Sequence, residues 1–116
     1  MSRKVQRMLH HLGQTADQVA ASLNAMCIRG NPQDPNNCPV TNYLMQKAHV
    51  QRCWANKSTV IFMSRWLGTH MEVKLPTAVK EFVDAFDHGK YPSLQIWAHY
   101  HFLNNISGPD SFQWLQ

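Results

Sequence analysis

The sequence predicts a small α+β domain in which a three-stranded antiparallel sheet is packed by about four helices. The chain of 116 residues is 44% hydrophobic and 16% charged, which suits one hydrophobic core and excludes a disordered chain. Helical apolar repeats occur before residue 50 and again after residue 76, and β-prone segments lie between them. We therefore expect a single domain over residues 1–116, with residues 107–116 as a tail.

Two helices are predicted before the first loop. The first carries an apolar repeat that stops at Gly13 and consists of Val5, Met8, Leu9 and Leu12. The second begins at Thr15, because Gln18 three residues later completes a capping-box pattern. Its apolar stripe continues to Gly30, so we expect a helix over residues 15–29.

Residues 30–37 are nearly all turn formers and predict an exposed loop. Cys38 and Pro39 follow, and proline is favoured at the first position of a helix. Apolar residues on one helical face then predict a helix over residues 39–49.

Three strands are predicted next, at residues 50–54, 59–63 and 69–75, where β-branched and aromatic residues concentrate. The connection over residues 64–68 matches no turn type. Pro76 then begins a helix that Gly89 ends. Residues 94–106 fit both a helix and a strand, and the helix is the preferred interpretation.

Composition restricts the compartment and the kind of partner. No apolar run reaches the roughly 18 residues of a membrane span, and the basic N-terminus lacks the apolar region of a signal peptide. The three cysteines are an odd number, whereas a secreted disulfide framework prefers an even one. We expect free thiols in a cytoplasmic protein with no membrane partner.

The distribution of charge predicts an anionic partner. Lys and Arg number 11 against 7 Asp and Glu, a formal charge of +4. Residues 1–16 and 35–71 contain no acid, whereas Glu81, Asp84 and Asp87 form a polar face on the last helix. Such polarity favours nucleic acid, a nucleotide or an acidic protein surface as the partner.

The leading functional hypothesis is a non-enzymatic binding or inhibitory module. Arg52, Lys57, Arg65 and Trp66 are its predicted ligand-binding residues, since Arg and Trp dominate interface hot spots and Trp stacks on bases. We expect charge reversal of this group to abolish retention on heparin. A structural or oligomerisation role, for example as a homo-oligomer, is a further alternative.

Cys38 is the candidate for catalysis in the remaining alternative, a cysteine-dependent enzyme with a histidine base. A helix start favours the thiolate, so this position predicts a lowered pKa and fast alkylation. Metal ligands are present, but neither Cys-x-x-Cys nor His-Glu-x-x-His spacing occurs. We therefore expect no metal and no cofactor.

Two segments resemble small uncharacterised proteins of bacteria and their phages. They are residues 38–44, which read Cys-Pro-Val-Thr-Asn-Tyr-Leu, and residues 86–94, which read Phe-Asp-His-Gly-Lys-Tyr-Pro-Ser-Leu. The likeness covers roughly residues 15–94 and includes a helix upstream of the first segment. It implies a small bacterial or phage protein and brings no activity that could be transferred to this chain.

Overall fold

The computed structural model of the protein describes residues 2–63 and 68–96. The helices and strands in chain order are α1 (Ser2–His11), α2 (Ala16–Ala25), α3 (Pro39–Lys47), β1 (Gln51–Ala55), β2 (Thr59–Met63), β3 (His70–Lys74) and α4 (Thr77–Asp87), followed by a 3-10 turn (Pro92–Leu94). The predicted α+β class with a three-stranded sheet is confirmed. The predictions for residues 64–67, including Arg65 and Trp66, and for residues 97–116 lie outside the described residues.

The sheet has the order β1-β2-β3 and both pairs are antiparallel. One face is buried, and its residues are neighbours in the strand register: Cys53 pairs with Phe62, and Val60 pairs with Val73. Alternation of side chains along each strand leaves the other face to solvent. The predicted three-stranded sheet is therefore a half-buried layer with its helices on one side.

Two helices pack on strands of the sheet, and the other two pack on each other. α3 packs against β1, α1 packs against β3, and α2 packs against α4. Phe62, Phe82 and Phe86 are fully enclosed in the resulting core. No helix within residues 2–63 and 68–96 is long and apolar enough to cross a bilayer.

The predicted helix over residues 15–29 is too long, because the chain leaves the helix after Ala25. Cys27 adopts a left-handed conformation with φ 57°. Its N–H donates to Asn24 O at 3.0 Å, and the Ile28 N–H donates to Leu23 O at 3.0 Å. These two bonds are the Schellman ending of a helix, with Cys27 in the position that glycine usually occupies.

Gly30 has a different role from the predicted helix ending. Its N–H donates to Leu94 O at 2.9 Å, and its carbonyl accepts from Ile96 N at 3.1 Å. A β-carbon at Gly30 would lie 2.5 Å from Pro39 N. The glycine therefore lets three segments of backbone meet at the start of α3.

Tyr91 connects the segment after α4 to α2. Its hydroxyl donates to Asp17 Oδ1 at 2.6 Å, and its ring lies 5.3 Å from the ring of Phe82. The hydrogen bond to Asp17, together with burial and the Asp17 charge, raises the pKa of Tyr91 from 10.0 to about 12. The bond needs the neutral phenol, so it stabilises the fold fully below pH 10 and is lost as the pH rises through 12.

We expect the phenol of Tyr91 to ionise at a pH about two units higher than that of a free tyrosine. Carbon-13 NMR of labelled tyrosine measures this titration directly. Asp17→Asn should return the titration towards 10. Tyr91→Phe identifies the resonance. A Tyr91 midpoint that stays near 10 in the unmodified protein would contradict the hydrogen bond.

Candidate functional site

The solvent-facing side of α1 is a continuous basic surface. At 3.6 residues per turn its cationic and imidazole side chains fall within about 120° of arc. All of them are exposed, and α1 contains no acid. We call these residues the basic helix face: Arg3, Lys4, Arg7, His10 and His11.

The opposite side of α1 explains why this face is turned outwards. Val5 and Leu9 are fully buried, and Leu12 just after the helix is 2% exposed. The apolar stripe packs on the sheet beside β3, and Tyr43 Oη donates to Met8 O at 3.2 Å. Burial of one face therefore fixes the orientation of the cations.

Arg52 is exposed because the strand carries an extra residue there. Gln51 pairs with Met63 and Cys53 pairs with Phe62, so Arg52 has no partner on β2. Its φ of 44° is the left-handed conformation of a β-bulge. The bulge directs this side chain to solvent at the beginning of the sheet.

Lys57 lies at the other end of β1, in the turn before β2. The two predicted ligand residues Arg52 and Lys57 are therefore roughly 15 Å apart along the strand. Lys57 lines a cleft that Arg52 does not line. The structure does not bring these two cations together, and Arg65 and Trp66 lie outside the described residues.

The cleft is a cavity of about 660 Å³ between α4, the loop over residues 31–38 and the turn after β1. Its acidic, lysine and histidine side chains are Asp34, Lys57, Lys80, Glu81, Asp84, Asp87 and His88. Pro35, Cys38, Ala55 and Val83 supply its apolar part. The polar face predicted on the last helix thus forms one wall of a cavity.

Hydrogen bonds hold the loop that forms the second wall. Gln33 N donates to Asp87 Oδ1 at 2.9 Å, and Gln33 Nε2 donates to Asp87 O at 3.2 Å. On the other side, Ala55 N donates to Pro35 O at 3.0 Å. The loop is therefore tied to both α4 and β1, and the cleft between them is preformed.

Charges in the cleft are not neutralised by one another. Four carboxylates line it against two lysine ammonium groups. Within the described residues, the His88 ring lies beside one of these carboxylates, with Nδ1 at 3.7 Å from Asp84 Oδ1, and both side chains are 77% exposed. Lys57 and Lys80 make no ion pair with a described carboxylate. The cleft therefore carries an excess of negative charge.

Cys38 is the N-cap of α3 and is used structurally. Thr41 N donates to Cys38 Sγ at 3.4 Å, and Cys38 N donates to Thr41 Oγ1 at 3.1 Å. These reciprocal bonds form a capping box in which the thiol takes the usual place of a hydroxyl. Pro39 occupies the first turn, as predicted.

The predicted lowering of the Cys38 pKa is wrong. Cys38 is 3% exposed, and burial raises its pKa despite the hydrogen bonds from Thr41. Desolvation of the thiolate outweighs the attraction of the helix start. His88 lines the same cleft, but no hydrogen bond joins it to Cys38 among the described contacts. The buried thiol gives the cysteine-enzyme alternative no support.

Arg29 is a partly buried cation that the sequence analysis did not single out. Its Nε and Nη1 atoms are buried and have no hydrogen-bond partner within residues 2–63 and 68–96. Unpartnered buried donors are costly. Arg29 does not line the cleft, so it is not part of this candidate site.

The sequence analysis named neither the basic helix face nor the cleft as a site, and the reasons differ. The cations of the basic helix face were visible as an acid-free segment, and their common arc could have been calculated from the helical period. The cleft could not, because its walls come from segments about 20 to 50 residues apart. Within the described residues, no three Cys, His, Asp or Glu side chains are placed to share a metal ion.

No family model, curated protein or solved structure matches the chain. The resemblance to small bacterial and phage proteins therefore stays a prediction.

Proposed function

We propose that this protein is a small non-enzymatic binding module that engages an anionic partner through the basic helix face. The partner is nucleic acid, a nucleotide or an acidic protein surface. One observation carries the proposal: three permanent cations and two histidines occupy a single exposed arc of a helix that holds no acid.

The arrangement suits an extended anion such as nucleic acid. Lys and Arg that share one surface neutralise several phosphates at once and release the counterions condensed on them. The acids of the cleft belong to α4 and the loop, whereas α1 packs on the sheet beside β3. Because α1 itself contains no Asp or Glu, an anionic partner bound there meets no acid from that helix.

Arg52 is the second contributor to the proposal. It is exposed on a β-bulge and does not line the acidic cleft. Lys57 faces the carboxylates of the cleft, so we give it no role in holding an anion. Arg65 and Trp66 remain predicted ligand residues from the sequence alone.

We expect the triple variant Arg3→Glu, Lys4→Glu and Arg7→Glu to lose retention on heparin and on a single-stranded nucleic-acid column. For a phosphate partner, loss of three contacts should reduce the slope of log K against log salt by about 2 to 3. The melting temperature should change little, because all three side chains are exposed. Column retention over a salt series measures the effect.

The matched control is the triple variant of Lys47, Lys74 and Lys90 to Glu. It changes the net charge by the same amount, and its residues are exposed and lie outside α1. It should lose only a small part of the retention. If both triples weaken retention equally, binding follows net charge alone, and the assignment to α1 is refuted.

A further inference from the structure

We propose that the cleft between α4, the loop 31–38 and the turn after β1 binds a linear aliphatic polyamine. This is a second site, and it is independent of the proposed function of α1. The cavity of about 660 Å³ falls in the size range of small-molecule sites, and hydrogen bonds to Gln33 and Pro35 hold it open.

The sign of the charge selects a cation. Four carboxylates face two ammonium groups, and Glu81 and Asp84 are exposed to the cavity. Neither forms an ion pair with a lysine within the described residues. A bound cation would therefore meet carboxylates that the protein itself leaves without Lys or Arg partners.

The shape of the lining selects an elongated organic cation. Glu81, Asp84 and Asp87 succeed one another every three residues along α4, so their backbone positions rise by about 4.5 Å per step. Ammonium groups separated by three or four methylenes match a row of this kind. Pro35 and Val83 offer apolar contact to the methylene chain.

Other ligand classes fit less well. His88 is the only aromatic-type ring in the described lining, so a nucleobase has no broad platform on which to stack. An extended peptide would need free strand-edge donors, but the N–H of Ala55 already donates to Pro35 O. A bare metal ion would need several oxygens converging on one point, and the described residues provide no such group.

Calorimetric titration with spermidine at low salt tests the proposal on the full chain. We expect saturable one-to-one binding that weakens about threefold for each carboxylate removed in Glu81→Gln and in Glu81→Gln with Asp84→Asn. Lys80→Gln should strengthen binding by a similar factor, because it removes a repelling charge. Circular dichroism checks that each variant is folded.

Glu72→Gln is the matched control, since Glu72 is exposed on the outer face of the sheet and lies outside the cleft. It should leave the affinity unchanged. The proposal is overturned by an absence of saturable binding at millimolar spermidine, or by a Glu72→Gln effect equal to that of Glu81→Gln. Weaker binding in Lys80→Gln would overturn it too, because removal of a lysine charge weakens the binding of an anion and strengthens that of a cation. Loss of heparin binding by the α1 triple variant has no bearing on these outcomes.

Discussion

Replacing Gly30 with alanine is expected to destabilise the fold by about 3 kcal/mol and to lower the melting temperature by about 10 °C. The new β-carbon would lie 2.5 Å from Pro39 N and 2.6 Å from Cys38 C. Both are backbone atoms at the N-terminus of α3, so no side-chain rotation can relieve the overlap. Separation of the segments would also strain the bonds that Gly30 makes with Leu94 and Ile96. Thermal unfolding followed by circular dichroism measures the loss.

Gly89→Ala separates this steric effect from the general effect of losing a glycine. Gly89 has φ 95°, and a β-carbon there would meet nothing within 4 Å. The cost should be backbone strain alone, about 1 kcal/mol. A Gly30→Ala variant that melts no lower than Gly89→Ala would show that the close approach at Pro39 is absent in solution.

The three thiols are expected to react at very different rates. Cys27 is exposed, whereas Cys38 and Cys53 are each 3% exposed. At pH 8 iodoacetamide should therefore label Cys27 quickly and the other two at least about a thousandfold more slowly, since they react only after the domain opens. Peptide mapping by mass spectrometry over time measures each rate.

Two controls define the outcome of the labelling experiment. In concentrated guanidinium all three thiols should react at similar rates, and Cys27→Ser should remove the fast phase from the native protein. Rapid labelling of native Cys38 would contradict its burial and would restore the cysteine-enzyme alternative.

The buried thiols also predict how stability depends on pH. Burial, together with the nearby Cys38, raises the pKa of Cys53 from 9.0 to about 12. The folded state therefore prefers the neutral thiol. The contribution of the neutral Cys53 thiol to the stability of the fold is complete below pH 9 and is lost as the pH rises through 12.

The ends of α2 and α4 show how far local sequence predicts structure. Both helices end in the same hydrogen-bond motif: Lys90 N donates to Ala85 O in α4, as Ile28 N donates to Leu23 O in α2. Gly89 predicts the end of α4, because glycine is the residue that most easily adopts a left-handed conformation. Cys27 fills the same position in α2 and gives no such signal. Leu23 and Ile28, whose backbone groups close the turn there, are both buried.

The sequence by itself determined the class of the fold, the order and approximate positions of the described helices and strands, and the presence of a basic segment before residue 17. Periodicity and capping are local properties, and they act over one or two turns of chain. It also indicated Cys38 and Pro39 as the start of α3, but it assigned the wrong direction to the Cys38 pKa. That error arose because a helix start is visible in sequence and burial is not.

Only the tertiary structure decided which charges from different elements share a surface. It separated Arg52 from Lys57 by the length of β1, and it placed Lys57 among the acids of the cleft. It also turned the polar face of α4 into the wall of a cavity by attaching the loop through Gln33 and Pro35. The physical reason is that burial and electrostatic fields depend on distances in space, and packing sets those distances between segments far apart along the chain.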